Sequence, residues 1–365
     1  MKIAFLLGNI NGNGGIARST SIVSQHLSED SSNKVYIINY CNPNSDKAWI
    51  PNPAISYMTV FDKQISLKKG FISAKKMIKG FLKDNEIDVL ISCGALYFIL
   101  GAVSAKGLKT KSIAWEHSNY TSNIGHLGKK YTRKIGARIS NYVITLTKMD
   151  QENYLKYIRK DKVEYIYNPI DPVLFTGGAN YRADAKKIVT VGNLNPFKNY
   201  KDLLKVAKEI FSNQIFSDWQ WDIYGEGPEK SELEELIKDY GLNGKVILQG
   251  RANNIYDLLN NYSIYVCTSK SEGLPMALIE AKTKKLPIIS FDIMTGPREI
   301  IDDGKNGYLI ELHNIEEMVR KLEILMKSPE KREELSSNAY IGIEKFGIEE
   351  CINKWNTVFQ KLLRE

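Results

Sequence analysis

The chain has 365 residues, of which 43% are hydrophobic and 25% charged, with a net charge of +8. It is too long for one average domain and suits two of roughly 150–200 residues, each with its own core. Its composition is that of a soluble globular protein and excludes a disordered or fibrous chain. No apolar run approaches the ~20 residues of a membrane span.

The charge is unevenly spread. Residues 1–171 hold 24 Lys and Arg against 13 Asp and Glu, a net of +11, whereas 172–365 hold 26 against 29, a net of −3. The four cysteines, Cys41, Cys93, Cys267 and Cys351, are scattered without metal-binding or redox spacing and read as reduced thiols in a cytosolic protein.

The first strand, Lys2–Leu7, runs straight into a glycine loop and is too short for the apolar core of a signal peptide. That loop, from Asn9 through Gly12, Asn13, Gly14 and Gly15 to Ala17 and Arg18, precedes a helix carrying Ile22, Val23 and Leu27. It approximates a dinucleotide fingerprint, but the second strand, Val35–Tyr40, ends without the acid that would hold an adenosine ribose. The loop therefore reads as a seat for a phosphate or a sugar, with Arg18 as charge partner.

Two basic stretches follow, from Lys63 to Lys83 and from Lys129 to Arg138. In the first, Phe71, Ala74, Ile78 and Phe81 recur at helical spacing among Lys68, Lys69, Lys75, Lys76, Lys79 and Lys83. Such a helix either lies on anionic lipid or turns a core-facing stripe inward and a solvated basic back outward. No nucleic-acid-binding motif accompanies the charge, which argues against RNA or DNA as a partner.

Further strands are expected at Val89–Ser92, Ser112–Trp115, Tyr142–Leu146 and Val163–Tyr167, alternating with helices, with His117 just beyond the Ser112–Trp115 strand. A Pro- and Gly-rich junction, Asn168–Pro172 and Thr176–Asn180, divides the chain into domains at 1–172 and 173–345. Residues 346–365 form a final helix that packs back toward the N-terminal domain. The second series of strands is Lys187–Val191, Gln220–Tyr224, Val246–Gln249, Ile264–Thr268 and Pro287–Phe291. Alternating strands and helices predict an α/β protein of two doubly wound, Rossmann-like domains, whose strand ends face a central cleft.

Loops after these strands carry the chemistry. The first holds Gly192, Asn193 and Lys198; Tyr224-Gly225-Glu226-Gly227-Pro228 and Gln249-Gly250-Arg251 end the next two strands. After the fourth comes Ser271-Glu272-Gly273-Leu274-Pro275, then a helix through Met276, Leu278 and Glu280 toward Lys284 and Lys285, which suit a C-terminus. Pro275 fits the first turn. Glu280 lies about 7 Å along the axis at 1.5 Å per residue. Two carboxylates straddling an anion-attracting helix start can grip two hydroxyl-rich groups joined by a diphosphate. Taken alone, the pair reads more readily as a capping acid and a solvated face residue. The loops Asp292–Ile301 and Asp303–Gly307 complete the series.

In their order and spacing, GNLNPFKN, YGEGP, SEGLPMALIEA and TGPREIIDDGKNGYLI resemble the family 4 glycosyltransferases, retaining enzymes of the GT-B fold, and the likeness spans the whole chain. The resemblance implies that Glu272 lies beside the donor sugar hydroxyls and that Glu280 holds the nucleotide ribose. Gly273, Leu274 and Pro275 would offer backbone contacts, Lys198 would neutralise the diphosphate, and Arg251 would lie near the base and phosphates. Gly14, Gly15 and Arg18 would line the acceptor and phosphate side, and His117 would face the reacting sugar. Many relatives carry Arg at the position of Asn193, so the diphosphate clamp is halved here.

The implied activity is retaining transfer of a hexose or N-acetylhexosamine from a nucleotide sugar, UDP before GDP, to a saccharide or lipid-linked saccharide in cell-surface polysaccharide biosynthesis. The N-terminal domain would bind acceptor and the C-terminal domain donor. No D-x-D pair accompanies the motifs, so no metal or other cofactor is expected. The protein would be cytoplasmic and peripheral on an anionic membrane face. A non-catalytic nucleotide-sugar-binding or membrane scaffold protein is the alternative.

Overall fold

The computed structural model describes residues 1–12, 14–42, 52–121, 127–175, 181–252 and 254–364, the side chains of 127–130 and 175 excepted. Asn13 of the glycine loop, residues 176–180 of the expected junction, and the side chains of Lys129 and Lys130 thus lie outside the described residues. The chain forms two compact units, Met1–Asp171 with Phe346–Glu365, and Pro172–Lys345.

The first unit is built on a parallel sheet of β1 (Lys2–Leu7), β2 (Lys34–Cys41), β3 (Ile55–Phe61), β4 (Val89–Cys93), β5 (Lys111–Trp115), β6 (Tyr142–Thr145) and β7 (Val163–Tyr165). These alternate with α1 (Gly15–Glu29), α2 (Leu67–Asp84), α3 (Phe98–Ala105), α4 (Leu127–Ile139) and α5 (Lys148–Leu155). Strand order is β3-β2-β1-β4-β5-β6-β7, so the winding reverses between β1 and β4. All five residues of β4 are buried, as expected of a central strand covered on both faces. Ala74, Ile78 and Leu82 of α2 pack into a cluster with Tyr36, Ile38 and Leu90, so this basic helix does turn an apolar stripe to the core.

The second unit holds β8 (Lys187–Val191), β9 (Gln220–Tyr224), β10 (Val246–Gly250), β11 (Ile264–Cys267), β12 (Ile288–Asp292) and β13 (Gly307–Glu311). Its helices are α6 (Tyr200–Ser212), α7 (Lys230–Asp239), α8 (Ile255–Leu258), α9 (Met276–Thr283), α10 (Pro297–Ile300), α11 (Ile315–Lys327) and α12 (Pro329–Ser337). All its strands are parallel, in the order β10-β9-β8-β11-β12-β13, with the reversal between β8 and β11. The last helix, α13 (Ile348–Arg364), belongs to the first unit, where Trp355, Val358, Phe359 and Leu362 are buried and α13 meets α1. In such sheets ligands sit beyond the carboxyl ends of the strands, at the reversal.

Two strands, β3 and β13, add to those expected. α9 starts one residue later than expected, with Pro275 at the capping position rather than inside the first turn. It ends at Thr283, and of the two lysines expected at its end, Lys284 is not a solvated partner of the helix dipole. Lys282 and Lys284 are buried, donating to the carbonyls of Ile300 (2.8 Å) and Leu174 (3.4 Å). Burial pushes the Lys282 pKa down to about 8.

Candidate functional site

Loops after β8 and β11, on either side of the strand-order reversal, bring Lys198 and Glu272 together: the ammonium donates to Glu272 Oε1 at 2.6 Å. The first loop is shaped locally. Asn195 Oδ1 accepts from the amide of Phe197 (3.0 Å), and the Lys198 amide closes on the Asn195 carbonyl (3.1 Å). Asn199 then enters α6 in the left-handed region, at φ 54°. Gly192 leaves room for the lysine stem, since a Cβ there would stand 2.9 Å from Lys198 Cε. The two loops are sewn by Lys270 N to Phe197 O (2.9 Å) and Thr268 Oγ1 to Lys198 O (3.1 Å). Burial works against the charged ammonium, but the Glu272 and Glu280 carboxylates outweigh it, and the lysine pKa is raised.

The third loop, after β12, holds Glu272 from its other side. Thr295 Oγ1 donates to the Glu272 carbonyl at 2.6 Å. Gly296 lies against Gly273 and Pro275, where a Cβ would come within 2.3 Å of Pro275 Cδ. Leu274 and Pro275 are buried, and Pro275, at the capping position, offers no side-chain cap to the amides that open α9. Glu280 is the second carboxylate, only 6% exposed on α9, and its charge is felt at Lys198. Glycines 225 and 227 serve the chain itself. A Cβ on either would strike the Gly192 or Leu194 carbonyl oxygen, at 1.9 and 2.2 Å. Asn193 and Arg251 are exposed, after β8 and β10 respectively.

The remaining predicted residues stand at the carboxyl edge of the first sheet. Gly14, Gly15 and Arg18 follow β1 and His117 follows β5, with β4 between the two strands. Gly14 and Gly15 are exposed, neither requires a positive φ, and a Cβ on either would meet nothing within 4 Å. Among the described residues, nothing asks for glycine at these two positions. Asn39, in place of a ribose-binding acid, accepts from the Ile10 amide at 2.8 Å and so supports the glycine loop. The His117 ring lies against Trp115, centroids 4.2 Å apart, and its Nε2 is buried without a hydrogen-bond partner among the described residues. Burial pushes its pKa down to about 3, so the imidazole is neutral.

Several residues that shape these sites went unread in the sequence. Thr268, Thr295 and Asn195 orient the Lys198–Glu272 pair, and an isolated hydroxyl or amide at a loop carries no spacing signal. Glu116 and Arg133 are buried as an ion pair of 2.7 Å behind His117. Arg133 therefore does not belong to an exposed basic patch, although it sits within the Lys129–Arg138 run. Among the described residues no cluster of three or more His, Cys, Asp or Glu has the arrangement of a metal site.

Comparisons with known proteins agree with this architecture. Residues 179–341 match the family model "Glycosyl transferases group 1", and residues 13–174 match "Glycosyltransferase Family 4". The chain is 27% identical to an uncharacterized glycosyltransferase of Haemophilus influenzae, with 98% of this chain and 99% of that protein covered. It is 28% identical to the amylovoran biosynthesis glycosyltransferase AmsD of Erwinia amylovora, again covering 98% and 99%. The structure of S. aureus TarM with fondaparinux, alpha-GlcNAc-glycerol and UDP superposes with a TM-score of 0.81 at 19% identity, over 98% of this chain and 99% of that one.

Proposed function

The chain belongs to the family 4, group 1 glycosyltransferases and has their GT-B fold, and from that premise we propose a specific reaction. The enzyme moves a hexose or N-acetylhexosamine, with retention and without a metal, from a UDP-sugar to a saccharide or lipid-linked saccharide in cell-surface polysaccharide biosynthesis. The observation that carries this reading is the Lys198–Glu272 pair beside the proline-started α9, at the strand-order reversal of the second unit. Sugar transfer passes through an oxocarbenium-like state while negative charge grows on the departing diphosphate. The Lys198 ammonium and the first amides of α9 answer that charge in a partly dry site. Glu272 lies beside the donor sugar hydroxyls and Glu280 holds the ribose, so the second unit binds donor.

In the first unit, Gly14, Gly15 and Arg18 line the acceptor and phosphate side. The neutral His117 positions or polarises the sugar and does not act as nucleophile. The acceptor hydroxyl attacks from the face the nucleotide leaves, its proton passing to the departing phosphate. UDP ranks before GDP on the family likeness, and the TarM structure contains UDP. A polysaccharide pathway is supported by AmsD, which is named for amylovoran biosynthesis. The protein works in the cytoplasm, on an anionic membrane face.

A panel of UDP- and GDP-sugars, scored by nucleotide release and thermal shift with and without short lipid-linked glycans, tests the assignment. UDP should stabilise the protein more than GDP, and release should require acceptor. Glu272→Ala should keep UDP binding within a few-fold and abolish transfer, whereas Lys198→Met should weaken both. Binding of UDP-sugars without transfer to any acceptor would leave a nucleotide-sugar-binding scaffold instead. Insensitivity of transfer to EDTA is expected; loss of activity that Mg²⁺ restores would overturn the metal-independent mechanism.

A further inference from the structure

The loop that carries His117 is fixed by charges sealed beneath it. Glu116 is 1% exposed and Arg133 3%, joined by Arg133 Nε donating to Glu116 Oε2 at 2.7 Å. Tyr154 of α5 donates its hydroxyl to the same oxygen at 2.7 Å. The other oxygen, Oε1, accepts from the backbone amides of His117 and Ser118, both at 3.1 Å, and from Ser118 Oγ at 2.9 Å. One carboxylate thus receives five donors, two of them the amides at and after the histidine. Arg133 grips the same turn a second time, through Nη1 to the Tyr120 carbonyl (2.8 Å) and Nη2 to Ser118 Oγ (2.9 Å). Asp150 completes the cradle by accepting from the Tyr120 amide at 3.0 Å.

The ring is held by a separate stack. Trp115 lies against His117, and Trp355 of α13, itself fully buried, meets Trp115 edge-on with centroids 5.1 Å apart. Its Nε2 is buried and makes no hydrogen bond among the described residues.

A buried ion pair is a poor way to stabilise a fold, because desolvation of both charges cancels most of the attraction, and apolar side chains of like volume usually do as well. A fully satisfied buried network does fix geometry. Here, among the described residues, the geometry it fixes is that of residues 117, 118 and 120: Glu116 holds the amides of 117 and 118, Arg133 the carbonyl of 120, and the two meet at Ser118 Oγ. We propose that Glu116, Arg133 and Tyr154, with Trp355 acting through Trp115, are positioning residues that hold His117 in its working orientation during sugar transfer. This rests on the reading of His117 as the residue that meets the reacting sugar.

The test is a set of double-mutant cycles. Tyr154→Phe, Glu116→Gln and Trp355→Phe are each made alone and together with His117→Ala, and kcat and KM for the donor are measured on variants whose UDP-induced thermal shift matches the parent. Each single change should lower kcat several-fold to a hundredfold at an unchanged donor KM, and should have little further effect once His117 is alanine. Tyr154→Phe removes one hydroxyl and leaves the ion pair intact, so it reports even where Glu116→Gln fails to fold. Equal losses with and without His117, or no loss from any of the three, would overturn the positioning role. If His117→Ala itself transfers sugar at the parent rate, the histidine reading fails first and the positioning role with it.

Discussion

Asn193 is exposed after β8, five residues before Lys198, and the Lys198 ammonium is already matched by Glu272 at 2.6 Å. A diphosphate arriving at this loop therefore meets less net positive charge than an Arg/Lys pair would offer. An arginine presents a planar fork that suits phosphate oxygens two at a time, and a hydrogen bond to a charged partner contributes about 1.5–3 kcal/mol. Asn193→Arg should accordingly tighten UDP roughly tenfold or more. Calorimetric titration with UDP and with uridine separates causes: the gain should appear with UDP alone. An equal gain with uridine, or none with either, would mean that the side chain at 193 does not reach the diphosphate.

At the scale of an element, α5 shows how a helix start can serve a neighbour. Thr147 caps it by accepting from the Asp150 amide at 3.2 Å, while the Asp150 carboxylate turns away to hold the Tyr120 amide. Burial pushes that carboxyl up to about 7. A group that binds its proton more tightly when folded contributes stability that is fully present below the unfolded carboxylate value, near 3.8, and is lost as pH rises through about 7. Asp150→Asn cannot titrate, so its stability relative to the parent should climb between pH 4 and pH 8, by at most about 4 kcal/mol at 1.4 kcal/mol per unit. Thermal unfolding at the two ends of that range checks it; a pH-independent difference would show the carboxyl to be ionised throughout. This cradle was not legible in the sequence, since Arg133 sits in a run of surface-like lysines and Asp150 at a helix start, and only the fold joins them to Glu116. The central strands were legible because burial on both faces writes long apolar runs. β3 was not, being an edge strand whose Ser56 is exposed and whose Tyr57, Met58 and Thr59 are half-buried. β13 begins on Gly307 after the turn residues 304–306, which masked it as loop. At the candidate site, the helix-start pattern drew attention to Glu272 and Glu280 and the family resemblance to Lys198, but no pattern showed that glycines 225 and 227 answer to neighbouring carbonyls.

Across the whole molecule the excess positive charge lies in residues 1–171, and the structure gives it a surface. On α2, Ile72 is 82% exposed, and its helical neighbours at three and four residues are Lys68, Lys69, Lys75 and Lys76, all exposed. On α4, Tyr131, Ile135 and Ile139 form an exposed stripe at spacings of four. Both helices pack against α3, and acidic residues are absent from α4 and confined to Asp84 at the end of α2. Among the described residues no helix is long and apolar enough to cross a membrane. Apolar side chains ringed by lysines fit an anionic lipid surface, where each lysine contributes about 1 kcal/mol and the isoleucines and tyrosine enter the headgroup boundary. Replacing Lys75 and Lys76 together by glutamine should therefore weaken binding to phosphatidylglycerol vesicles by about 2 kcal/mol, roughly thirtyfold. Raising salt from 0.15 to 1 M shortens the screening length from about 8 to about 3 Å and should release most of the protein. Ile72→Ser should weaken binding as well, but without changing its salt dependence, because it removes buried area and no charge. Sedimentation with anionic and zwitterionic vesicles measures all three effects, and equal binding to both lipids would rule out the surface. The soluble donor reaction, followed with a short lipid-free acceptor, should be unaffected by these substitutions, since none of the three residues belongs to the donor or acceptor loops.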